Sequence, residues 1–119
     1  MKHDKPTSKD RIEHILNAVR IIQSFTDGCT LELFEKDTKA YYACLFQFAV
    51  IGEAIVNIDN EILKNYNYPW YKVRSFRNFI MHEYHAIDEQ VVLDTVNLIL
   101  PDFRELIELI LEKEFDTER

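Results

Sequence analysis

The stretch DTKAYYACLFQFAVIGEAIVN, Asp37 to Asn57, decides the fold of this chain. Asp37 is a good N-cap, since its side chain can accept from the unpaired N–H groups of a first helical turn. Behind it Tyr41, Tyr42, Leu45, Phe46, Phe48, Ala49, Ile51, Ile55 and Val56 fall on more than one face of the helix they predict. A helix apolar on more than one face must be covered on two sides. The expected covers are neighbouring helices of the same domain and a second copy of the chain. An all-α fold built around this helix follows.

Working outward, the segment before it predicts a helix from about Ser8, taken as its N-cap, to about Phe25. Its apolar residues Ile12, Ile15, Leu16, Val19 and Ile22 recur at spacings of three and four. Thr26-Asp27-Gly28 ends it, with Gly28 free to take the left-handed conformation of a C-cap. A short helical turn is expected at Leu31 to Glu35. After the central helix, a connector with a short helix at Glu61–Lys64 leads to Pro69, which suits a first helical position. The next helix carries Trp70, Val73, Phe76, Arg77 and Ile80 and ends near His82–Tyr84. Asp88 caps a fourth helix through Val91, Val92, Thr95, Val96 and Leu100, and Pro101 is expected to kink or break it. Phe103, Leu106, Ile107, Ile110 and Leu111 then resume the helical period. The expected architecture is an antiparallel four-helix bundle with a short extra helix. The expected boundaries are a disordered leader at 1–8, the bundle at 9–115 and a tail at 116–119.

Composition agrees with that reading. The chain has 119 residues, 47% of them hydrophobic, with only 2 Gly and 3 Pro, which argues against a turn-rich β fold. A domain this small gains limited stability alone, which favours self-association. No run approaches about 18 consecutive apolar residues, so no membrane span is expected. The opening MKHDKPTSKD lacks the apolar region of a signal peptide. Cys29 and Cys44 show no metal-type spacing and read as reduced thiols, so a cytoplasmic location is expected.

Net charge is −7, which weighs against a nucleic-acid binder, because contacts to phosphate supply most of that affinity. The distribution qualifies the sum. From Asp102 to Arg119 there are seven acids and three bases, whereas Lys64 to Met81 holds Lys64, Lys72, Arg74 and Arg77 and no acid. Tyr66, Tyr68, Trp70, Tyr71, Phe76 and Phe79 lie among those bases. Interleaved bases and rings suit single-stranded RNA, through backbone charge and base stacking. The competing reading makes these rings part of the core or of an interface.

The chemistry-bearing residues are Arg77, His82 and Tyr84. Arginine offers a fixed fork of donors suited to phosphate. Histidine alone has an unperturbed pKa that lets it exchange protons near neutrality. Together they suit RNA cleavage in which a base deprotonates the ribose 2′-OH and arginine stabilises the charge building on phosphorus. Five residues place Arg77 and His82 about 140° apart on an ideal helix. A joint site therefore needs the helix to unwind near His82, or a second copy to contribute its own pair. The spacing alone singles out no chemistry, because an Arg and a His five apart are common.

The pattern Arg77-x4-His82-x-Tyr84 resembles the signature of HepT-like toxins in the HEPN superfamily, with Asn78 matching the polar residue that often follows the arginine. Ile51-Gly52-Glu53-Ala54, Pro69-Trp70, His82-Glu83-Tyr84, Asp88 and Leu100-Pro101 extend the resemblance over roughly Asp10 to Lys113. It departs at Ser75-Phe76, where the family often reads Gly-Met, and at His85-Ala86, where it often reads Phe-Gly. The resemblance implies a helical-bundle homodimer with two Arg/His pairs meeting in a cleft, and metal-independent endoribonuclease activity with no cofactor. It implies Arg77, His82 and Asn78 as catalytic residues. It further implies a minimal nucleotidyltransferase antitoxin that transfers AMP onto Tyr84.

Other readings stand beside these. His82 and His85 are three apart, not the four of a His-Glu-x-x-His site, and no third ligand clusters with them, so no metal is expected. Glu53 is costly to bury unpaired in its apolar helix. It is expected to pair with Arg74 or Arg77, either to hold the fold or to orient a catalytic arginine. Arg74 and Lys72 are candidate RNA contacts or solvated surface charges, and Tyr84 is an AMP acceptor or an ordinary helix-end tyrosine. The rival function, favoured by the acidic net charge, is a non-catalytic helical adaptor that binds a nucleotidyltransferase or a nucleotide.

Overall fold

The computed structural model describes residues 5–115, which are mostly helical, with no strand among them. In chain order they form α1 (Ser8–Thr26), α2 (Leu31–Lys36), α3 (Thr38–Val56), α4 (Asn60–Leu63) and α5 (Trp70–Glu83). A 3₁₀ turn (Tyr84–Ala86), α6 (Glu89–Asp94), a π turn (Thr95–Ile99) and α7 (Leu100–Phe115) follow. The leader expected at 1–8 falls outside the described residues up to residue 4, and the tail at 116–119 lies wholly outside them.

Local chemistry explains most of the boundaries and corrects three. Thr7, not Ser8, caps α1. The Thr7 hydroxyl accepts from the Asp10 N–H at 3.1 Å, and the Asp10 carboxylate accepts from the Thr7 N–H at 2.8 Å. Ser8 lies in the helix, where its hydroxyl accepts from the Asp59 N–H at 3.1 Å and ties the start of α1 to the N-cap of α4. Gly28 takes φ +69° after the end of α1, as expected of a left-handed C-cap. Asp37 and Asp88 cap α3 and α6 through the N–H groups of Ala40 (3.0 Å) and Val91 (2.9 Å). Pro69 sits one residue before α5 rather than within it, with a non-helical ψ of 71°.

Of the kink or break expected at Pro101, the break does not occur. The rod runs from Glu89 to Phe115, and the π turn just before the proline absorbs it. There the Leu100 N–H reaches back five residues to the Thr95 carbonyl. The wider turn makes room for a ring that would otherwise crowd the preceding carbonyls.

α3 is the centre of the packing. It lies against α1 on one side and α5 on the other, and α1 packs in turn against α7. The core joins Ile12, Ile15, Val19 and Ile22 of α1 to Cys44, Phe48, Ile51 and Ile55 of α3 and to Phe103, Ile107 and Ile110 of α7. By length and composition α3 could cross a membrane, but half of it is buried within the protein, which accounts for its apolar character. Within the chain, α1 and α5 cover two of its sides. Tyr42 and Phe46 are left over, 55% and 66% exposed.

Candidate active site on helices 3 and 5

The start of α5 is pinned. Trp70 is buried, and its indole N–H donates to the carbonyls of Leu63 (3.1 Å) and Tyr66 (3.2 Å). Its ring meets Tyr68 at 4.9 Å and Phe103 at 6.5 Å. Tyr66 donates to Glu114 at 2.7 Å, and loss of solvation together with that carboxylate pushes its phenol up to about 12. Phe76 packs edge-on against Phe48 at 5.4 Å. Of the six rings that could have stacked on bases, these contacts commit Tyr66, Tyr68, Trp70 and Phe76 to the fold. Tyr71 and Phe79 remain exposed.

One residue past Phe76, at Arg77, α5 crosses α3 at Gly52. A Cβ built on Gly52 would collide with the Arg77 Cβ and come within 2.6 Å of its Cγ. Glycine is required there because the Arg77 stem fills the space of a side chain. The Arg77 guanidinium then turns to the neighbouring residue on α3. Its Nη2 donates to Glu53 Oε1 at 2.5 Å, and its Nη1 donates to Asn78 Oδ1 at 2.8 Å. The other Glu53 oxygen accepts from Asn57 Nδ2 at 3.1 Å. The Arg77 hydrogen bond holds the Glu53 carboxyl below its ordinary value. Of the two arginines open to Glu53, the structure therefore pairs it with Arg77.

His82 lies in the last turn of α5, exposed and still helical, so the chain does not unwind to turn it toward Arg77. Among the described residues Arg77 and His82 share no hydrogen bond, and one chain does not bring them together. Tyr84 opens the 3₁₀ turn, 59% exposed, with its ring edge-on to His85 at 6.1 Å. Gly28 is the one described residue with positive φ. Ala86 therefore meets no conformation that demands glycine, and the departure at His85-Ala86 leaves Tyr84 accessible. The buried Tyr41 hydroxyl donates to the Ile87 carbonyl at 2.9 Å and anchors the chain just beyond this turn.

The remaining candidates separate. Arg74 is half-buried on the Arg77 side of α5, about 60° away. Lys72 instead lines an apolar groove of about 450 Å³ between α5 and the π turn, with Phe76, Val91 and Ile99. Among the described residues no group of three or more His, Cys, Asp or Glu could hold a metal ion. Reading the residues for chemistry alone missed Gly52 and Asn57. A glycine in the middle of a strongly apolar helix, costing roughly 1 kcal/mol against alanine, was the signal for the first. Asn57 carried no local signal, because its role appears only once Glu53 has a partner.

An all-helical chain that fixes an arginine on one helix face and displays a histidine and a tyrosine at the helix end has the form of a HEPN ribonuclease. The family profile described as "Ribonuclease HepT-like" matches residues 15–110. A protein of Thermococcus cleftensis named "Probable ribonuclease HepT" is 31% identical over 101 residues, covering 84% of this chain and 92% of that one. "Putative RNase MJ0127" of Methanocaldococcus jannaschii is 31% identical over 106 residues, covering 87% and 88%. "Putative RNase TTE0752" of Caldanaerobacter subterraneus is 27% identical over 109 residues, covering 91% and 97%. No solved structure gives a significant match. This chain belongs to the HepT-like ribonuclease family of the HEPN superfamily.

Proposed function

We propose that the protein is a metal-independent endoribonuclease toxin, acting in the cytoplasm as a homodimer of HEPN-like four-helix bundles. The observation that carries this reading is the placement of Arg77 and His82 on one unbroken helix, fixed and reachable but turned apart. Such a pair is half of a site, and a second copy facing it supplies the other half. The exposed Tyr42 and Phe46 of α3, with Phe79 and Met81 of α5, offer the apolar surface for that partner.

In this reading neutral His82 takes the proton from the ribose 2′-OH, whose oxygen attacks the adjacent phosphorus. The P–O5′ bond breaks, and the imidazolium of the other protomer's His82 gives a proton to the departing 5′-oxygen. The products are a 2′,3′-cyclic phosphate and a free 5′-hydroxyl, with no metal and no cofactor consumed. Arg77 meets the charge on the phosphorane oxygens. Asn78, as the acceptor for Nη1, orients Arg77 rather than touching the reacting atoms. Tyr84 is exposed at the same helix end, which suits it as the AMP acceptor of a nucleotidyltransferase antitoxin. The added phosphate and bulk there oppose RNA entry.

The test is cleavage of RNA by the purified protein in the presence of a chelator. His82→Ala is expected to lower the rate by about 10²–10⁴-fold. If wild type and His82→Ala leave RNA equally untouched, the nuclease reading falls and the adaptor that binds a nucleotidyltransferase or nucleotide takes its place. Intact-mass measurement after co-expression with the nucleotidyltransferase tests the control step, and absence of an AMP adduct on Tyr84 removes it.

A further inference from the structure

Arg77 is not held by its own helix. Its stem lies in the space left by Gly52, and its guanidinium is met by Glu53, both on α3. We propose that Glu53 is a positioning residue, whose carboxylate fixes the plane of the Arg77 guanidinium toward phosphate without touching RNA itself. The inference rests on the ribonuclease reading and deepens it.

The geometry limits what else Glu53 can be doing. Arginine has five N–H donors in a rigid fork. Glu53 takes one on Nη2 and Asn78 takes one on Nη1, so both ends of the fork are fixed. Three donors remain, the Nε–H and one on each terminal nitrogen, enough for a two-point contact with a phosphate. The carboxylate is itself held from behind, because the Asn57 amide donates both to Glu53 Oε2 (3.1 Å) and to the Glu53 backbone carbonyl (2.8 Å). A chain of four side chains, Asn57–Glu53–Arg77–Asn78, thus holds the guanidinium in a fixed plane.

Stability does not account for the pair. The Glu53 side chain is 50% exposed and that of Arg77 28% exposed, and pairs this open to water contribute little to folding. The carboxylate also opposes binding, since it cancels part of the charge that attracts phosphate. A residue that weakens attraction while fixing direction is expected to act on kcat and KM in opposite senses. Glutamine at position 53 keeps an acceptor oxygen for Nη2 and removes the charge. Alanine removes both.

The experiment uses the full chain as wild type, Glu53→Gln, Glu53→Ala, Arg77→Ala, and each Glu53 change combined with Arg77→Ala. Steady-state RNA cleavage, affinity for a 2′-O-methylated strand that this chemistry cannot cut, and melting temperature are measured for each. Glu53→Ala is expected to lower kcat by about 10–100-fold without raising KM, as for a displaced reacting group. Glu53→Gln is expected to recover most of kcat and to bind the 2′-O-methylated strand at least about threefold tighter than wild type, as loss of an opposing charge requires. In the Arg77→Ala background neither change is expected to alter kcat, and the tightening by Glu53→Gln is expected to shrink, because Glu53 acts on the chemistry through Arg77. An undiminished effect in that background overturns the inference, as does wild-type kcat in Glu53→Ala. So does a fall in melting temperature that tracks kcat in both Glu53 variants. If no RNA is cut at all, the ribonuclease reading falls separately. Positioning of Arg77 then stands or falls on whether the Arg77-dependent tightening by Glu53→Gln is seen.

Discussion

The two ends of α5 are built on opposite principles. At the first turn, Trp70 is buried, hydrogen-bonded to two carbonyls of the preceding connector and packed against Phe103 of α7. At the last turn, His82 and Met81 face solvent, and Tyr84 follows in an exposed 3₁₀ turn. Between them the helix crosses α3 at Gly52, where Arg77 is gripped. The helix is therefore fixed at its base and at one crossing point, and it presents its free end. Chemical groups at such an end need no buried neighbours of their own, because packing elsewhere sets where they point.

That contrast can be broken at its base with the largest effect. Trp70→Ala removes a buried indole and both of its hydrogen bonds, and is expected to destabilise the fold by about 3–5 kcal/mol in urea denaturation. A loss under about 1 kcal/mol would mean that the base is not the anchor. Next comes the crossing. Gly52→Ala forces a methyl group into the Arg77 stem, with an expected cost of about 1–3 kcal/mol. Cleavage should fall further than stability explains, since α5 must shift to make room. Unchanged melting and unchanged cleavage together would show that the close approach is not needed.

Smaller still is the pH dependence of the Glu53–Arg77 contact. The folded-state pKa of Glu53 is depressed below its ordinary 4.5, chiefly by the Arg77 hydrogen bond. Its contribution is thus fully present above 4.5 and lost as pH falls through the lower folded value. Wild type and Glu53→Gln should differ by less than about 1 kcal/mol at neutral pH, given the exposure of the pair. The gap should close on acidification, and a gap that widens in acid would contradict the assignment. Smallest of all is the free end. His82→Ala should leave stability within about 0.5 kcal/mol of wild type while abolishing cleavage, separating display from support.

Much of this was legible in the sequence, for reasons that are local. Asp37 and Asp88 announce helix starts because a short acceptor side chain serves the nearest unpaired N–H groups. Gly28 announces a helix end because it alone tolerates the left-handed turn there. The apolar stripes of α1 and α3 foretold the core. Local reasoning was incomplete at Pro101, where a kink or a break was expected and a π turn five residues long absorbed the ring without ending the helix. It failed at Ser8, because a better acceptor stood one residue earlier with Asp10 to answer it. The aromatic, basic segment read as core or interface for most of its rings, with an RNA platform as the rival, since a ring carries no mark of which side it faces.

The sequence by itself determined the helices, most of their caps, and the presence of Arg77, His82 and Tyr84 in a pattern that resembles the HepT-like signature. Periodicity and capping act over three or four residues, and the chain records them directly. Only the tertiary structure decided which arginine Glu53 would hold and why Gly52 is glycine. Those outcomes depend on contacts between residues 24 or more positions apart, such as Glu53 with Arg77. They arise where two helices cross, and no local pattern encodes the angle or the depth of a crossing.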